Sequence, residues 1–441
     1  MNKNEVAKVV IVGGGLVGAL NACFMAKRGY DVYIFEKRED IRKADEAQGK
    51  SINLALSHRG RKALKFIGLE EEILNNAVPM KGRLLHDLNG YKKSVPYDPV
   101  FKKCIYSIGR NFLNGKLLEA AEKYRNVKIY FKYKLINIGL SEGRVSFLNV
   151  EKNETVEFQA DLIIGADGAF SKIRRFMETT PLFEYSQTYI EHGYLELCIP
   201  KEQSHLMKSN HLHIWPRGEF MMIALPNKDN SWTVTLFMPF KMFESIKTEA
   251  DLLNFFSKTF SDSIELIGSK ELITDYFKKK PSSLISVKCS PYHYKNKFLL
   301  LGDAAHAIVP FYGQGMNAGF EDCTILDNIL NENKDNFKLS LQNYSIKRKA
   351  NTYAISDLAM YNYVEMRDLV TRPSYSLRNL LDSLLFRFFC NTWIPLYNSV
   401  SFSEMDYLKC VENRKWQDKV IQVVIAVLGI ILGIFLYYYL L

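Results

Sequence analysis

The sequence predicts an α/β fold: a Rossmann-like nucleotide-binding domain, an antiparallel-sheet domain, a helical C-terminal region and a terminal transmembrane helix. Three observations predict it. Gly13, Gly15 and Gly18 form a G-x-G-x-x-G turn between an apolar run and a helical pattern. Alternating, aromatic-rich runs fill about 182–240, among them His211-Leu212-His213-Ile214-Trp215 and Trp232-Thr233-Val234-Thr235-Leu236-Phe237. Val420–Leu441 is apolar on every face, with Gln422 its only clearly polar side chain. At about 1.5 Å per residue this stretch spans about 33 Å, enough for a hydrocarbon core of about 30 Å.

The elements follow in order. Lys8–Val12 reads as a strand, and a helix runs from the glycine turn to about Arg28. Gly29-Tyr30 stops that helix, and Asp31–Phe35 forms a second strand ending at Glu36. Each part has a physical task. Gly13 allows the tight turn, Gly15 lets a pyrophosphate approach the backbone, and Gly18 lets helix and strand pack closely. The helix N-terminus offers unpaired N–H groups to phosphates. Glu36, about 18 residues on, accepts hydrogen bonds from an adenosine ribose and repels a 2′-phosphate, so the resident dinucleotide is not NADP. Ser51–Leu56 reads as a further strand and Gly60–Ile67 as the helix after it. Asp161–Arg175 reads as a buried strand, an acidic-glycine turn and a basic helix start. Phe298–Leu301 returns as a buried strand. A glycine-rich run, Gly302–Gly319, follows it and opens a helix over Met316–Leu330. N–H groups near Gly315–Asn317 would face an anion placed there. From about 340 the chain is helical, and Leu377, Leu380, Leu381, Leu384, Leu385, Phe388 and Phe389 mark one broad apolar face that could pack on the globular body or lie in a membrane interface; packing is expected, since Arg378, Asp382 and Arg387 supply both charge signs.

Composition narrows the function. A length of 441 residues suits two or three modules, and 47% hydrophobic residues exclude a disordered chain. Seven scattered cysteines with no C-x-x-C pair argue for a reducing compartment and against a disulfide framework or zinc knuckle. His211 and His213 are the one close histidine pair; with no third ligand nearby they read as structural, and no metal site is expected. No secretory signal peptide precedes Val9-Val10-Ile11-Val12. Lys102-Lys103 and Lys278-Lys279-Lys280 are too short for nucleic-acid arms and read first as solvated surface, with attraction to a membrane surface second; beside a membrane tail, the +10 charge is expected to rest the body against anionic lipid. Lys409, Arg414, Lys415 and Lys419 flank the terminal segment on its N-terminal side, which orients it as a tail anchor with the body in the cytosol.

The ordered set Gly13-x-Gly15-x-x-Gly18…Glu36, Gly165-Ala166-Asp167-Gly168 and Gly302-Asp303-Ala304-Ala305-His306…Pro310…Gly313-Gln314-Gly315-Met316-Asn317 is similar to that of the FAD-dependent aromatic hydroxylases, the single-component flavoprotein monooxygenases. The resemblance covers most of residues 6–330. It implies bound FAD, with Asp167 and Gly168 touching it, Asp303 on its ribityl chain, and NADPH visiting without a domain of its own. The cofactor-binding set expected on this basis is Gly13, Gly15, Leu16, Val17, Gly18, Glu36, Lys37, Leu54, Arg110, Asp167, Asp303, Gly313, Gly315, Met316 and Asn317.

Further stretches resemble the branch of that family acting on L-kynurenine: Gly49–Gly60 with its Ser51-Ile52-Asn53-Leu54-Ala55-Leu56-Ser57 core, Met80–His86, Tyr97 after Pro96, and Met360–Arg367. Lys50 stands where arginine is expected. Eukaryotic members of the branch also carry a hydrophobic C-terminal membrane segment. The resemblance implies hydroxylation of L-kynurenine to 3-hydroxykynurenine with NADPH and O2, through a C4a-hydroperoxyflavin. It places Arg83 and Tyr97 on the substrate carboxylate, with Phe311, Asn362 and Tyr397 completing the pocket. It also implies a mitochondrial outer membrane in a eukaryote. Residues 1–180, with a substrate-contacting insert at about 75–105, and 291–335 would form the FAD-binding domain. Residues 181–290 would form the antiparallel-sheet domain, 336–415 a helical cap and 420–441 the anchor. Two rival readings are another flavin hydroxylase or membrane-bound epoxidase, and a tethered flavin-binding protein without turnover.

Overall fold

The structure, a computed structural model, describes residues 6–43 and 53–440. Gly49–Ile52 of the motif containing Lys50 lie outside the described residues. The first sheet has the strand order His293–Tyr294, Phe298–Leu300, Leu162–Gly165, Lys8–Val12, Asp31–Glu36, Val127–Phe131. Its four central strands are parallel, with Val9 opposite both Leu162 and Val32, and Ile163 opposite Phe298. Strands covered on both faces must be apolar throughout, and Val9, Val10, Ile11 and Leu162–Ile164 are all buried. The helix Leu16–Lys27 packs on this sheet, buried over most of its circumference.

Parallel strands have a functional consequence: all their C-terminal ends lie along one edge, where α/β sheets bind ligands. That edge carries Gly13 after Val12, Glu36 closing its own strand, Asp167 after Gly165, and Asp303 after Leu300.

The second large sheet runs Ser282–Ser290, Glu184–Ile199, Trp232–Pro239, Met221–Pro226, His211–Pro216, Gly82–His86, Lys92–Pro96. It is not wholly antiparallel as expected: Gly82–His86 joins His211–Pro216 in parallel, His211 opposite Gly82. A strand contributed from more than 100 residues upstream leaves no alternation signal in the 182–240 run. His211 and His213 are engaged inside the sheet, His211 Nε2 with Ser94 Oγ (3.0 Å) and His213 Nδ1 with His86 Nε2 (2.9 Å). The seven cysteines all lie among the described residues, and no disulfide joins any two of them.

The C-terminal part is built on the 31-residue helix Phe337–Arg367, followed by Pro373–Phe388, Leu396–Phe402 and the tail helix Tyr407–Leu440. One expectation is overturned here. Leu377, Leu380, Leu384, Phe388 and Phe389 do not pack on the body but face outward, while Leu381 and Leu385 are half-buried, because the opposite side of Pro373–Phe388 makes the inward contacts with Arg378, Asp382 and Phe386.

Candidate active site

Two groups of residues meet at the edge of the parallel sheet. The first surrounds the glycine turn. Gly13 has φ +108°, and a Cβ there would lie 2.4 Å from the Ala166 carbonyl oxygen; a Cβ on Gly18 would lie 1.9 Å from that of Gly13. Both glycines are therefore demanded by the protein itself. Gly15 is different: its backbone is extended and a Cβ would meet nothing within 4 Å. Its missing side chain leaves open space at a helix N-terminus, the form of a phosphate cradle. Leu16 and Val17 turn their side chains inward, Val17 against Gly302 and Gly319, so what they offer a ligand is backbone N–H.

Glu36 is buried in the cleft beside this turn, with Arg38, Asp40, Asn114 and Phe131 lining the same space. It accepts from Gly14 N–H (2.8 Å), Arg38 N–H (2.9 Å) and Arg38 Nε (2.8 Å). Burial opposes its charge, but Arg38 and the two amides hold the carboxyl below its usual range. Lys37 points to solvent.

Asp167 accepts from Lys172 N–H (2.6 Å) and Ile173 N–H (3.3 Å) through Oδ2, while its buried Oδ1 has no partner. Asp303 is exposed to solvent at the mouth of this edge, with protein packed behind it. That packing pushes its carboxyl up, against the pull of His306 and Arg110. Arg110 is thus exposed at the head of its helix but close enough to act on Asp303. Gly313 (φ +65°) lies against Ala55, next to Leu54, and Met316 is partly buried against the core. Gly315, at the N-terminus of helix Gly315–Glu332, meets only one atom at 3.9 Å, again leaving open space. The Asn317 side chain is consumed by structure: it donates to Ala55 O and Gly313 O (both 2.8 Å) and accepts from Ser57 N–H (2.9 Å). Only its backbone is available to a ligand. Open space before Gly15 and Gly315 together with the unpartnered Asp167 oxygen fits a flavin dinucleotide extended along this edge.

Behind this edge lies a network that the sequence reading missed. Fully buried Asp322 accepts from Gly302 N–H (2.9 Å) and Arg348 Nε (2.8 Å) and pairs with His306 Nε2 (2.7 Å), pinning the turn that presents Asp303. Arg348 continues to Glu321 (2.8 Å), which Arg59 meets from the other side, and Arg59 lies 4.0 Å over the Tyr407 ring. Burial alone would raise the Asp322 carboxyl, but His306, Arg348 and the amide hold it at about 2. An unfolded aspartate titrates near 3.9. The pairing therefore stabilises the fold fully above that value and is lost as pH falls towards 2. Asp322→Asn is expected to cost about 3–5 kcal/mol, because it leaves Arg348 buried and short of charge. It should also flatten the acid limb of stability between about pH 4 and 2. Denaturant unfolding across that range checks both effects, and an unchanged acid limb would contradict the assignment.

The second group holds all five expected substrate residues in one cluster. Arg83 comes from the hairpin Gly82–His86/Lys92–Pro96, where it opposes Val95, and Tyr97 follows the second strand, its N–H donating to Lys81 O (3.0 Å). Phe311 lies on the turn Pro310–Tyr312, Asn362 on Phe337–Arg367 and Tyr397 on Leu396–Phe402. Asn362 donates to Phe311 O (2.7 Å), Arg83 donates to Asn362 Oδ1 (3.2 Å), and Tyr97 stacks on Tyr397 at 4.7 Å. The Arg83 guanidinium lies 5.0 Å from the Tyr397 ring.

Glu365, which the sequence reading did not assign, pairs with Arg83 at 2.7 Å and accepts from Tyr375 Oη at 3.1 Å. Burial works against the Arg83 charge, but Glu365 overcomes it and keeps the guanidinium protonated. Burial pushes the Tyr97 hydroxyl up, so it stays a neutral donor. Arg83 Nε and Tyr97 Oη are both buried without a partner. Two such buried donors, one in the guanidinium itself and one on the phenol beside it, are unfavourable unless an acceptor arrives; a ligand carboxylate is such an acceptor.

An edge of open glycine turns and a partnerless buried carboxylate oxygen, beside a polar aromatic pocket, defines the class. The family model described as FAD binding domain matches residues 6–358, and the chain is an FAD-dependent monooxygenase. Its fold is similar to that of 2-methyl-3-hydroxypyridine-5-carboxylic acid oxygenase, with TM-score 0.67, 19% identity, and 87% of this chain and 97% of that one covered. In sequence it is 55% identical to a kynurenine 3-monooxygenase of Anopheles gambiae over 94% of this chain and 85% of that protein. It is also 46% identical to one of Sus scrofa, over 97% and 90%. The chain belongs to the kynurenine 3-monooxygenase family.

Proposed function

We propose that this chain hydroxylates L-kynurenine to 3-hydroxykynurenine in the cluster around Arg83, using FAD held along the parallel-sheet edge, with NADPH and O2 as co-substrates. FAD, when bound, supplies the redox chemistry that activates O2 for transfer of one oxygen to an electron-rich ring. The protein's own tasks are holding, orienting and excluding water. Gly13, Gly15 and Gly18 with the helix behind them seat the pyrophosphate. Glu36 takes the adenosine ribose, Asp303 the ribityl chain, Asp167 and Gly168 the isoalloxazine side, and the amides of Gly315–Asn317 its most anionic edge.

L-kynurenine is a zwitterion. Arg83 and Tyr97 donate to its carboxylate, and Glu365 places a negative charge for its ammonium group. Asn362 and Tyr397 frame the side chain, and Phe311 packs on the ring beside the flavin. Residues 336–415 close the pocket as a cap. The observation that carries this reading is the pair of buried, partnerless donors, Arg83 Nε and Tyr97 Oη. The test is NADPH oxidation by the full chain with candidate substrates. L-kynurenine is expected to stimulate it strongly, and stimulation by a simple phenol or a polyene instead would move the chain to another flavin hydroxylase or an epoxidase.

The tail helix Tyr407–Leu440 is long and apolar enough to cross a membrane. We read it as an anchor that leaves the body in the cytosol, in a eukaryote on the mitochondrial outer membrane. Its apolar part adds no core contact, since residues 422–439 are all exposed. A chain ending before Val420 is therefore expected to be soluble and to keep its flavin, as sedimentation and flavin absorbance would report. Precipitation without FAD would make the tail part of the fold.

A further inference from the structure

The helix Pro373–Phe388 is built inside out. Leu377, Leu380, Leu384 and Phe388 recur at spacings of three and four residues, so they share one face, and they are 69%, 69%, 54% and 71% exposed. The other side carries the polar contacts. Arg378 bonds Asp382 at 2.9 Å, and buried Asp382 also accepts from the Trp393 indole at 2.9 Å. A helix on the surface of a protein in water has the reverse pattern. A contiguous apolar face turned outward marks a surface that something apolar covers.

What covers it follows from where the helix is fastened. Arg378 pairs with Asp418 (2.5 Å) and Arg414 with Asp382 (3.3 Å), so the helix grips residues 414–418 of the tail helix. Asp418 precedes by four residues, about 6 Å of helix rise, the start of the exposed stretch 422–439, which is apolar from Val423 on. Trp416, at the same level, is exposed and lies 5.7 Å from Trp393; tryptophans collect at membrane interfaces. Beside the helix, Phe101 is also exposed, its ring meeting the inward-facing Phe386 at 5.3 Å, and exposed Lys102 and Lys103 follow it in the chain. Leucines and phenylalanines on one side with cations at the margin are the composition of a helix lying in the plane of a bilayer surface.

We propose that Pro373–Phe388 is a second membrane element: an interfacial helix whose Leu377–Phe388 face sinks into the acyl–headgroup boundary beside the point where the tail helix enters the bilayer. The proposal rests on the anchor reading of the tail. It also sets the depth of the substrate pocket, because Tyr375 on this same helix bonds Glu365, the partner of Arg83.

The test uses the full chain, flavin-loaded, in vesicles of equimolar phosphatidylcholine and phosphatidylserine. Cys104, Cys198 and Cys390 are replaced by serine, and a nitroxide is placed in turn at Leu380→Cys, Leu384→Cys, Ile430→Cys and Val150→Cys. Relaxation of each label by dissolved oxygen, which enters lipid, is compared with relaxation by an aqueous nickel complex, which does not. Oxygen is expected to dominate at 380, 384 and 430, and nickel at 150. An aqueous signal at 380 and 384 with a lipid signal at 430 overturns the interfacial helix and leaves the anchor standing. Aqueous signals at 384 and 430 together overturn both. Shielding of 384 from both relaxants, with spin–spin broadening, means a second copy covers the face and overturns the lipid assignment.

Discussion

Arg83→Ala is expected to lower kcat/KM for L-kynurenine by about 30- to 5,000-fold, chiefly through KM, with the flavin still bound. The range corresponds to about 2–5 kcal/mol for truncating one member of a buried, hydrogen-bonded charge pair. Arg83 supplies the guanidinium of the cluster, its Nη1 held by Glu365 and its Nε open. Without it the substrate carboxylate meets only the Tyr97 hydroxyl, and Glu365 is left as an unpaired negative charge that repels it. Arg83→Lys keeps the charge but not the planar fork, and should fall between wild type and alanine. Steady-state kinetics with a flavin absorption spectrum on each variant decide the matter. A normal KM in Arg83→Ala would remove this residue from the substrate site. Loss of flavin would show that the damage reached the cofactor edge.

The second large effect separates two glycines of one motif. Gly15→Val is expected to fold normally and to lose FAD affinity by about 5- to 150-fold, the equivalent of about 1–3 kcal/mol of forced overlap. The protein offers no obstacle to this side chain, whose Cβ meets nothing within 4 Å on an extended backbone. The added atoms occupy the cradle instead. Gly18→Ala is expected to fail differently, since its Cβ would sit 1.9 Å from the Gly13 carbonyl oxygen and the turn itself must move. Thermal melts of the flavin-free proteins should therefore show a loss for Gly18→Ala and little change for Gly15→Val. Flavin titration should show weakened binding for both. If Gly15→Val binds FAD as wild type does, the cofactor does not cross this turn.

These two glycines also show what could be read before the structure. The motif is local, so strand, turn, helix and terminal acid lie within 36 residues and their order alone predicts the sheet edge. The two later motifs reach that edge because each follows a parallel strand, Leu162–Gly165 or Phe298–Leu300, a regularity of the fold rather than of any one segment. Glu365 was out of reach for the opposite reason: its partner Arg83 is 282 residues away. The available signal was its place three residues after Asn362, on the same helical face. Asp322 and Arg348 were silent likewise, being ordinary helix residues until tertiary contact joins them to His306. Asn317 shows that a motif residue with an amide side chain can spend it entirely on neighbouring loops. The face of Pro373–Phe388 marks another limit. Periodicity reports that a helix has an apolar side, but not whether protein or lipid lies against it.

The most direct measurement is a turnover of the purified chain with FAD, NADPH and L-kynurenine under ¹⁸O2, followed by mass spectrometry of the product. The expected result is 3-hydroxykynurenine carrying one ¹⁸O atom, formed with the NADPH consumed. Oxidation of NADPH with hydrogen peroxide as the only product, and no labelled hydroxykynurenine, would contradict the assignment of this pocket to kynurenine hydroxylation.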